Sequence, residues 1–344
     1  MTDDESALDF DQEEELFEHH RFKADKGQEI TRIDKFLLDR LPNTSRNKIQ
    51  VAAKNGNIHV DGKPVKQNYK IKPLDEVTIV LPYPVREITL IPQDIPLDIR
   101  YEDDSLLVVN KPANMVVHPG YGNYKDTLVN ALVHHFQHLP TLPVDFFGRP
   151  GLVHRIDKHT TGLLVIAKTE LALNHLAKQF FDRTIERRYF ALVWGDLEAP
   201  GTITGHIGRS LKNRKVMAVF PNGDHGKHAV THYEVKERFG YVTLVSCKLE
   251  TGRTHQIRAH FQHIGHPLFN DKEYGGDKIL KGTTSNSYKQ FIENNFNLIS
   301  GQALHAFSLG FIHPQNFREI YLETPLPLGF NTLLERWRKY CGIF

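Results

Sequence analysis

A chain of 344 residues, 40% hydrophobic and 24% charged, has the composition of a globular protein with room for one sizeable domain and a smaller companion. No apolar run approaches the roughly 20 residues of a membrane helix, no basic stretch leads into an apolar one as in a secretory leader, and Cys247 and Cys341 are too few for a disulfide framework or a cysteine metal cluster, so the cytoplasm is the expected compartment. The net charge of +2 conceals a segregation: residues 1–30 hold eleven acids against three bases, and residues 32–72 hold ten Lys or Arg against three Asp.

In chain order, residues 1–28 are acidic and lack apolar periodicity, the pattern of a disordered tail. Thr31 is the expected N-cap of a helix on which Ile33, Phe36, Leu37 and Leu41 recur at helical spacing. A second helix is predicted from Ser45 to just before Gly56, with Ile49, Val51, Ala52 and Ala53 available for packing and Arg46, Lys48 and Lys54 left outside. IHVDGKPV reads as a hairpin turning on Asp61-Gly62, and EVTIVLP as a strand. The module over 30–81 presents a basic surface suited to polyphosphate, for which Arg32, Lys35, Arg46, Lys48 and Lys54 are the candidate RNA-binding residues; the alternative is a merely solvated charged face. Its layout, RIDKFLLDRLPNTSRNKIQVAAKNGNIHVDGKPV, resembles the S-four-type RNA-binding module, which implies RNA as partner and leaves the reaction open.

A proline-rich linker over 82–98 precedes a second domain, expected over 99–335. Leu106 to Val109 read as a buried strand ending at Asn110-Lys111-Pro112. Further strands are predicted at 163–167, 188–194, 229–236 and 242–250, with helices at about 126–137, 170–182 and 254–264. Because these strands do not alternate regularly with crossover helices, the expected class is α+β with a mostly antiparallel sheet. No internal repeat is visible.

The most informative stretch is HRIDKHTTGLLVIAK, residues 154–168. Leu163 to Ala167 form an apolar run that reads as a strand buried on both faces, so Asp157 sits in a loop leading into rigid structure, a favourable platform for catalysis. A structural ion pair is the blander role for an aspartate between Arg155 and Lys158. In RRYFALVWG, Tyr189 lies inside a strand and points to one face while its neighbours point to the other. It is either a flat surface for a substrate or a core tyrosine. In LETGRTHQIRAHFQHIGHP, Ile257, Phe261 and Ile264 form the apolar stripe of a helix capped by Thr254, which sets Arg258 at the edge of the buried face. From there a guanidinium can reach a partly buried carboxylate and favour its ionised form, making a usable nucleophile or base. His255, His260, His263 and His266 are spaced by five, three and three, which does not match a zinc-binding HExxH helix. HRID without a Gly-rich loop or DFG does not make a kinase.

These three segments, with the preceding NKPANMVVHPGYGN and the following PLFNDKEYGG, resemble the motif set of the RluA-type pseudouridine synthases, most closely the RluD-type members, over about residues 30–330. The resemblance implies that Asp157 attacks the target uridine, that Arg258 is its salt-bridge partner, and that Tyr189 stacks on the uracil and later helps to take a proton. Arg155 would fill the gap left in the RNA by the flipped nucleotide, with His154, Arg253 and His255 as further substrate-binding candidates. The resemblance also implies large-subunit ribosomal RNA or a pre-ribosomal particle as partner, no metal or organic cofactor, and a monomer. One departure is His159, where family members more often carry Asp.

The residues fit that chemistry. A glycosidase that adds water commonly uses two carboxylates, whereas an isomerase that detaches a base, turns it and reattaches it needs one, with water excluded. The competing reading is a catalytically silent RNA-binding factor in ribosome assembly, against which the intact set of Asp157, Tyr189 and Arg258 speaks.

Overall fold

The computed structural model describes residues 17–41, 46–81, 90–120, 122–136, 151–213 and 215–343. Among these, one compact unit ends at Leu81 and a second begins at Leu90.

The first unit comprises β1 (Phe17–Lys23), β2 (Thr31–Arg32), α1 (Ile33–Leu38), α2 (Arg46–Lys54), β3 (Ile58–Val60), β4 (Lys63–Pro64), β5 (Lys70–Ile71) and β6 (Glu76–Leu81). Its four-stranded sheet runs β1-β6-β3-β4. Residues 17–23 of the segment expected to be a disordered tail form a strand: β1 pairs antiparallel with β6, Phe22 lies opposite Val77, and this pairing outweighs the acidic composition, while residues 1–16 lie outside the described residues. Thr31 is not a cap. It pairs with Ile71, the extended Arg32 precedes α1 without a side-chain cap, and Ile33 donates its N–H to the Tyr69 carbonyl instead. Ile33, Phe36, Leu37, Ile49 and Ala53 fill the core as the helical spacing requires, whereas Val51 is exposed. Ser45 lies outside the described residues.

The second unit comprises β7 (Ile99–Glu102), β8 (Leu106–Lys111), α3 (Leu128–His135), β9 (Thr161–Ala167), α4 (Glu170–Asp182), β10 (Glu186–Trp194), β11 (Gly201–Arg209), β12 (Met217–Phe220), β13 (Lys227–Arg238), β14 (Val242–Leu249), α5 (Gln256–His263), α6 (Asn286–Phe296), β15 (Leu304–Ile312), β16 (Glu319–Glu323) and α7 (Leu328–Cys341). Its sheet runs β12-β11-β13-β14-β10-β15-β9-β8-β7, with β16 beside β15. The pairings are antiparallel except β15 with β9, so the α+β class holds with a mostly antiparallel sheet.

The two-residue period of the strands divides the core. Leu164 and Ile166 of β9, Leu107 and Val109 of β8, and Tyr189, Ala191 and Val193 of β10 point to the face covered by α3 and α5. Leu163, Val165 and Ala167 point the other way, against α4, as do Leu192 and Trp194, against α6 and α7. The strand at 163–167 is buried on both faces as expected. At its start Gly162 has a φ of +114°, and a Cβ there would lie 2.2 Å from the Ala306 carbonyl oxygen, so only glycine lets β9 approach β15. The pattern did not mark β11, β15, α6 or α7. In β11 glycines interrupt the apolar alternation (GTITGHIGR), and α6 and α7 carry little beyond one aromatic-rich stripe.

Candidate active site

Asp157 lies in the loop ahead of β9, where its carbonyl accepts from the Thr160 N–H at 3.1 Å. Beneath the loop Lys111, at the end of β8, is 1% exposed. Its Nζ donates to the carbonyls of Pro112 at 2.7 Å, Met115 at 2.8 Å and Lys158 at 3.1 Å, matching three N–H bonds with three acceptors and tying the residue after Asp157 to the end of β8. Burial pushes the Lys111 pKa down to about 7, with the Asp157 charge acting in the opposite sense.

Arg258 reaches the same point from α5. It is buried outright instead of lying at the edge of the apolar stripe, because three carboxylates satisfy it. Nε and Nη2 donate to Asp271 at 2.7 and 2.8 Å, Nη2 also donates to Glu273 at 2.6 Å, and Nη1 is left to donate to Asp157 Oδ2 at 3.2 Å. The forked contact with Asp271 fixes the plane of the guanidinium, and the Tyr274 ring lies 4.8 Å from it. Burial opposes the charge on Arg258, but Asp271 and then Asp157 and Glu273 more than compensate and raise its pKa.

The start of α5 differs from expectation. Thr254 does not cap it; His255 does, in the left-handed region at a φ of +55° and without a side-chain cap bond. The loop is braced by Gln256, whose Oε1 accepts from the Arg253 N–H and the Thr251 hydroxyl. That backbone turn brings His255 Nε2 to 3.8 Å from Asp157 Oδ1 while Nδ1 bonds the Tyr274 hydroxyl at 3.0 Å.

Tyr189 is 7% exposed and packs in the core, yet its ring also lines the cleft. Burial raises its pKa, with Arg187 lowering it and Asp157 raising it, so the hydroxyl keeps its proton. His154 is held from below: its Nε2 accepts the Val165 N–H at 3.0 Å, and its ring stacks on Phe180 at 4.6 Å. Arg155 is exposed, Arg253 donates from Nε to the His228 carbonyl, and His159 bonds Asn114. All seven residues expected at the catalytic and substrate sites line one cleft of about 510 Å³.

A histidine that accepts a backbone N–H must be neutral at that nitrogen, and burial, then the nearby Arg187, drop the His154 pKa from 6.5 to about 3. The unfolded chain therefore binds a proton that the folded one refuses as pH falls from 6.5 to about 3, and stability declines across that window. We expect His154→Gln, which can still accept the N–H, to remove a share of that decline on the order of a few kcal/mol, read from urea midpoints at a series of pH values. Parallel curves for the two proteins would disprove the assignment.

On the first unit, Lys35 and Lys54 are exposed, and the Lys48 side chain lies outside the described residues. Arg32 and Arg46 are less free than expected. Both bond the fully buried Asp34, at 2.9 and 3.0 Å, and Gln50 joins them. Burial works to raise the Asp34 pKa, but these bonds hold it at about 2. The two arginines keep 41% and 46% of their side chains exposed, so they can still meet an anion from a fixed position.

Several residues that matter here escaped the sequence reading, namely Lys111, Arg187, Asp271 and Glu273. The available signals were a lysine closing an apolar strand, and carboxylates in NDKEYGG just beyond an arginine-bearing helix. The four histidines of 255–266 have separate duties: His260 bonds Thr231 and His266 bonds the Trp194 carbonyl. Among the described residues no three His, Cys, Asp or Glu side chains converge to hold a metal.

Residues 105–263 match the family model described as RNA pseudouridylate synthase. An RNA pseudouridine synthase of Chlorobaculum parvum is 46% identical over 315 residues, spanning 91% of this chain and 96% of the relative. The chain belongs to the RNA pseudouridine synthase family. It is thus an isomerase by family, and its residues 31–77 match the S4 domain model. A Zymomonas mobilis protein named ribosomal large subunit pseudouridine synthase D is 42% identical, over 88% of the synthase and 93% of that relative. Human RNA pseudouridylate synthase domain containing 4 shares the fold, with a TM-score of 0.52 at 24% identity over 70% of the synthase and 92% of the human chain.

Proposed function

We propose that the synthase converts uridine to pseudouridine in large-subunit ribosomal RNA, with Asp157 as the carboxylate that acts on the target nucleotide. The observation that carries this reading is a single aspartate, oriented by a buried arginine, in the cleft that Tyr189 lines. The other carboxylate at the cleft, Glu250, is exposed and bonded to His232, so the pair of opposed acids that a hydrolase uses is not assembled.

The chemistry balances without an external reagent. The bond from C1′ to N1 breaks, the uracil turns within the cleft, a bond from C1′ to C5 forms, the C5 proton leaves and N1 gains one. Asp157 serves the sugar and base while Arg258 stabilises its charge. Tyr189, protonated in the free protein, offers its ring to the detached uracil and its hydroxyl as a relay for the departing proton. Flipping the nucleotide costs a few kcal/mol of stacking. Arg155, exposed at the cleft two residues before Asp157, is suited to occupy the gap left in the RNA.

The S4 match and the name of the Zymomonas relative support ribosomal RNA as substrate. On the first unit, Lys35→Glu combined with Lys54→Glu should weaken RNA binding about ten-fold and lower the salt slope of binding by roughly two. An unchanged slope would remove this face from recognition. The reaction itself is tested by tritium release from a large-subunit ribosomal transcript labelled at C5 of uridine. Release supports the proposal, whereas RNA binding without release would favour a silent assembly factor.

A further inference from the structure

Four arginines of the cleft have no carboxylate partner among the described residues. Arg258, Arg188, Arg238 and Arg338 of the second unit are all in ion pairs. Arg155, Arg183, Arg187 and Arg253, which line the cleft, have no carboxylate partner among the described residues. Arg187 is held by shape: its guanidinium lies 5.2 Å from the Phe180 ring centroid, and its Nη1 lies 3.0 Å from where a Cβ on Gly252 would sit. Its Nε is buried without a hydrogen-bond partner. Arg183 closes α4 in the left-handed conformation, at a φ of +61°. Burial and the charge of Arg183 both lower the Arg253 pKa, so the two guanidinia repel each other in the free protein. Such a group gains when an anion joins it.

Beside these cations stands Phe181, in the last turn of α4, 85% exposed and lining the same cleft. A solitary exposed phenylalanine is ordinary. One that shares a cleft with unpaired guanidinia supplies both parts of a single-strand nucleic-acid site, a flat apolar face for a base and positive charge for its phosphate. Flipping one nucleotide also uncovers a face of its neighbour.

We propose that Phe181, with Arg183 and Arg253, is a docking site for the nucleotide adjoining the target uridine, its base on the phenyl ring and its phosphate on the two guanidinia. This rests on the reading that the substrate is a uridine in RNA. The site orients the strand before chemistry, so its loss shows in KM more than in kcat.

The test uses the full chain and the large-subunit ribosomal transcript. Trp194 and Trp337 are fully buried, so Phe181→Trp introduces an exposed indole whose emission is distinct. That emission should be quenched on RNA addition, with KM near that of the wild type. Phe181→Ala should raise KM about ten-fold and leave kcat within about twofold. Arg183→Gly, which the left-handed backbone accepts, should raise KM and lower the salt slope by about one, and Arg183→Lys should recover most of both. The docking site is overturned if the wild type is active while Phe181→Ala leaves KM unaltered, or if the introduced indole is not quenched. A wild type that binds RNA but releases no tritium overturns instead the reading on which the site rests.

Discussion

Asp157→Asn should lower tritium release by on the order of 10⁴-fold or more, because it removes the carboxylate proposed to act on the uridine and keeps its shape. The variant is a clean probe because of how Arg258 is held. With the Asp157 charge gone, the guanidinium retains its forked bond to Asp271 and its bond to Glu273, and asparagine still offers an oxygen to Nη1. The Asp157 side chain is 18% exposed, so its replacement leaves no deeply buried orphan. Urea unfolding should therefore stay within about 1 kcal/mol of the wild type, and RNA affinity should persist. Residual release within tenfold of the wild type, from a preparation free of wild-type protein, would eliminate Asp157 as the acting group.

Asp271→Ala has the opposite profile, a large loss of stability together with activity. Asp271 is 1% exposed and carries two of the four bonds to a guanidinium that is itself 5% exposed. It also accepts from the Tyr274 N–H at the start of a short turn of helix. Removing it leaves Arg258 with Asp157 and the half-exposed Glu273, an under-compensated buried charge that costs about 3–5 kcal/mol. With its plane no longer fixed, Arg258 should turn toward the remaining carboxylates, and kcat should fall about 100-fold with a smaller change in KM. Arg258→Met added to Asp271→Ala separates the two effects. Taking away the orphaned cation should recover much of the stability and none of the activity. A double variant as unstable as Asp271→Ala would mean that the damage comes from the lost helix cap and not from the uncompensated arginine.

Much of the site was legible because its signals are local. The apolar run from Leu163 to Ala167 reads as a buried strand, and is one, which placed Asp157 in a loop on rigid support. The alternation in RRYFALVWG turned Tyr189 toward one face, and there it packs in the core beside Leu249 and Ile257. The stripe of Ile257, Phe261 and Ile264 brought Arg258 inward from α5. Local rules failed where a distant partner decided the outcome. Thr31 has the chemistry of a cap, but its strand pairing with Ile71 supplies the bonds instead. Thr254 likewise gives way to His255, whose left-handed backbone turns its ring toward Asp157 and Tyr274. The acidic composition of the first residues suggested disorder, yet Phe17–Lys23 is a strand because β6 offers it an edge.

By itself, the sequence determined the α+β class, the main strands around the site and the three residues proposed to carry the chemistry, since apolar period and residue type are properties of neighbours along the chain. Only the tertiary structure decided which charges meet. Asp157 and Arg258 are separated by 101 residues, and Lys111 and the Lys158 carbonyl by 47. Burial of a charge demands a partner, but the demand does not say which of many acids or carbonyls will answer it. Asp271 lies thirteen residues from Arg258, and Asp34 two from Arg32 and twelve from Arg46, yet spacing alone did not single out these partners. The meeting of Asp157 with Arg258, and the lack of a carboxylate partner among the described residues for Arg155, Arg183, Arg187 and Arg253, were decided by how separate elements approach one another.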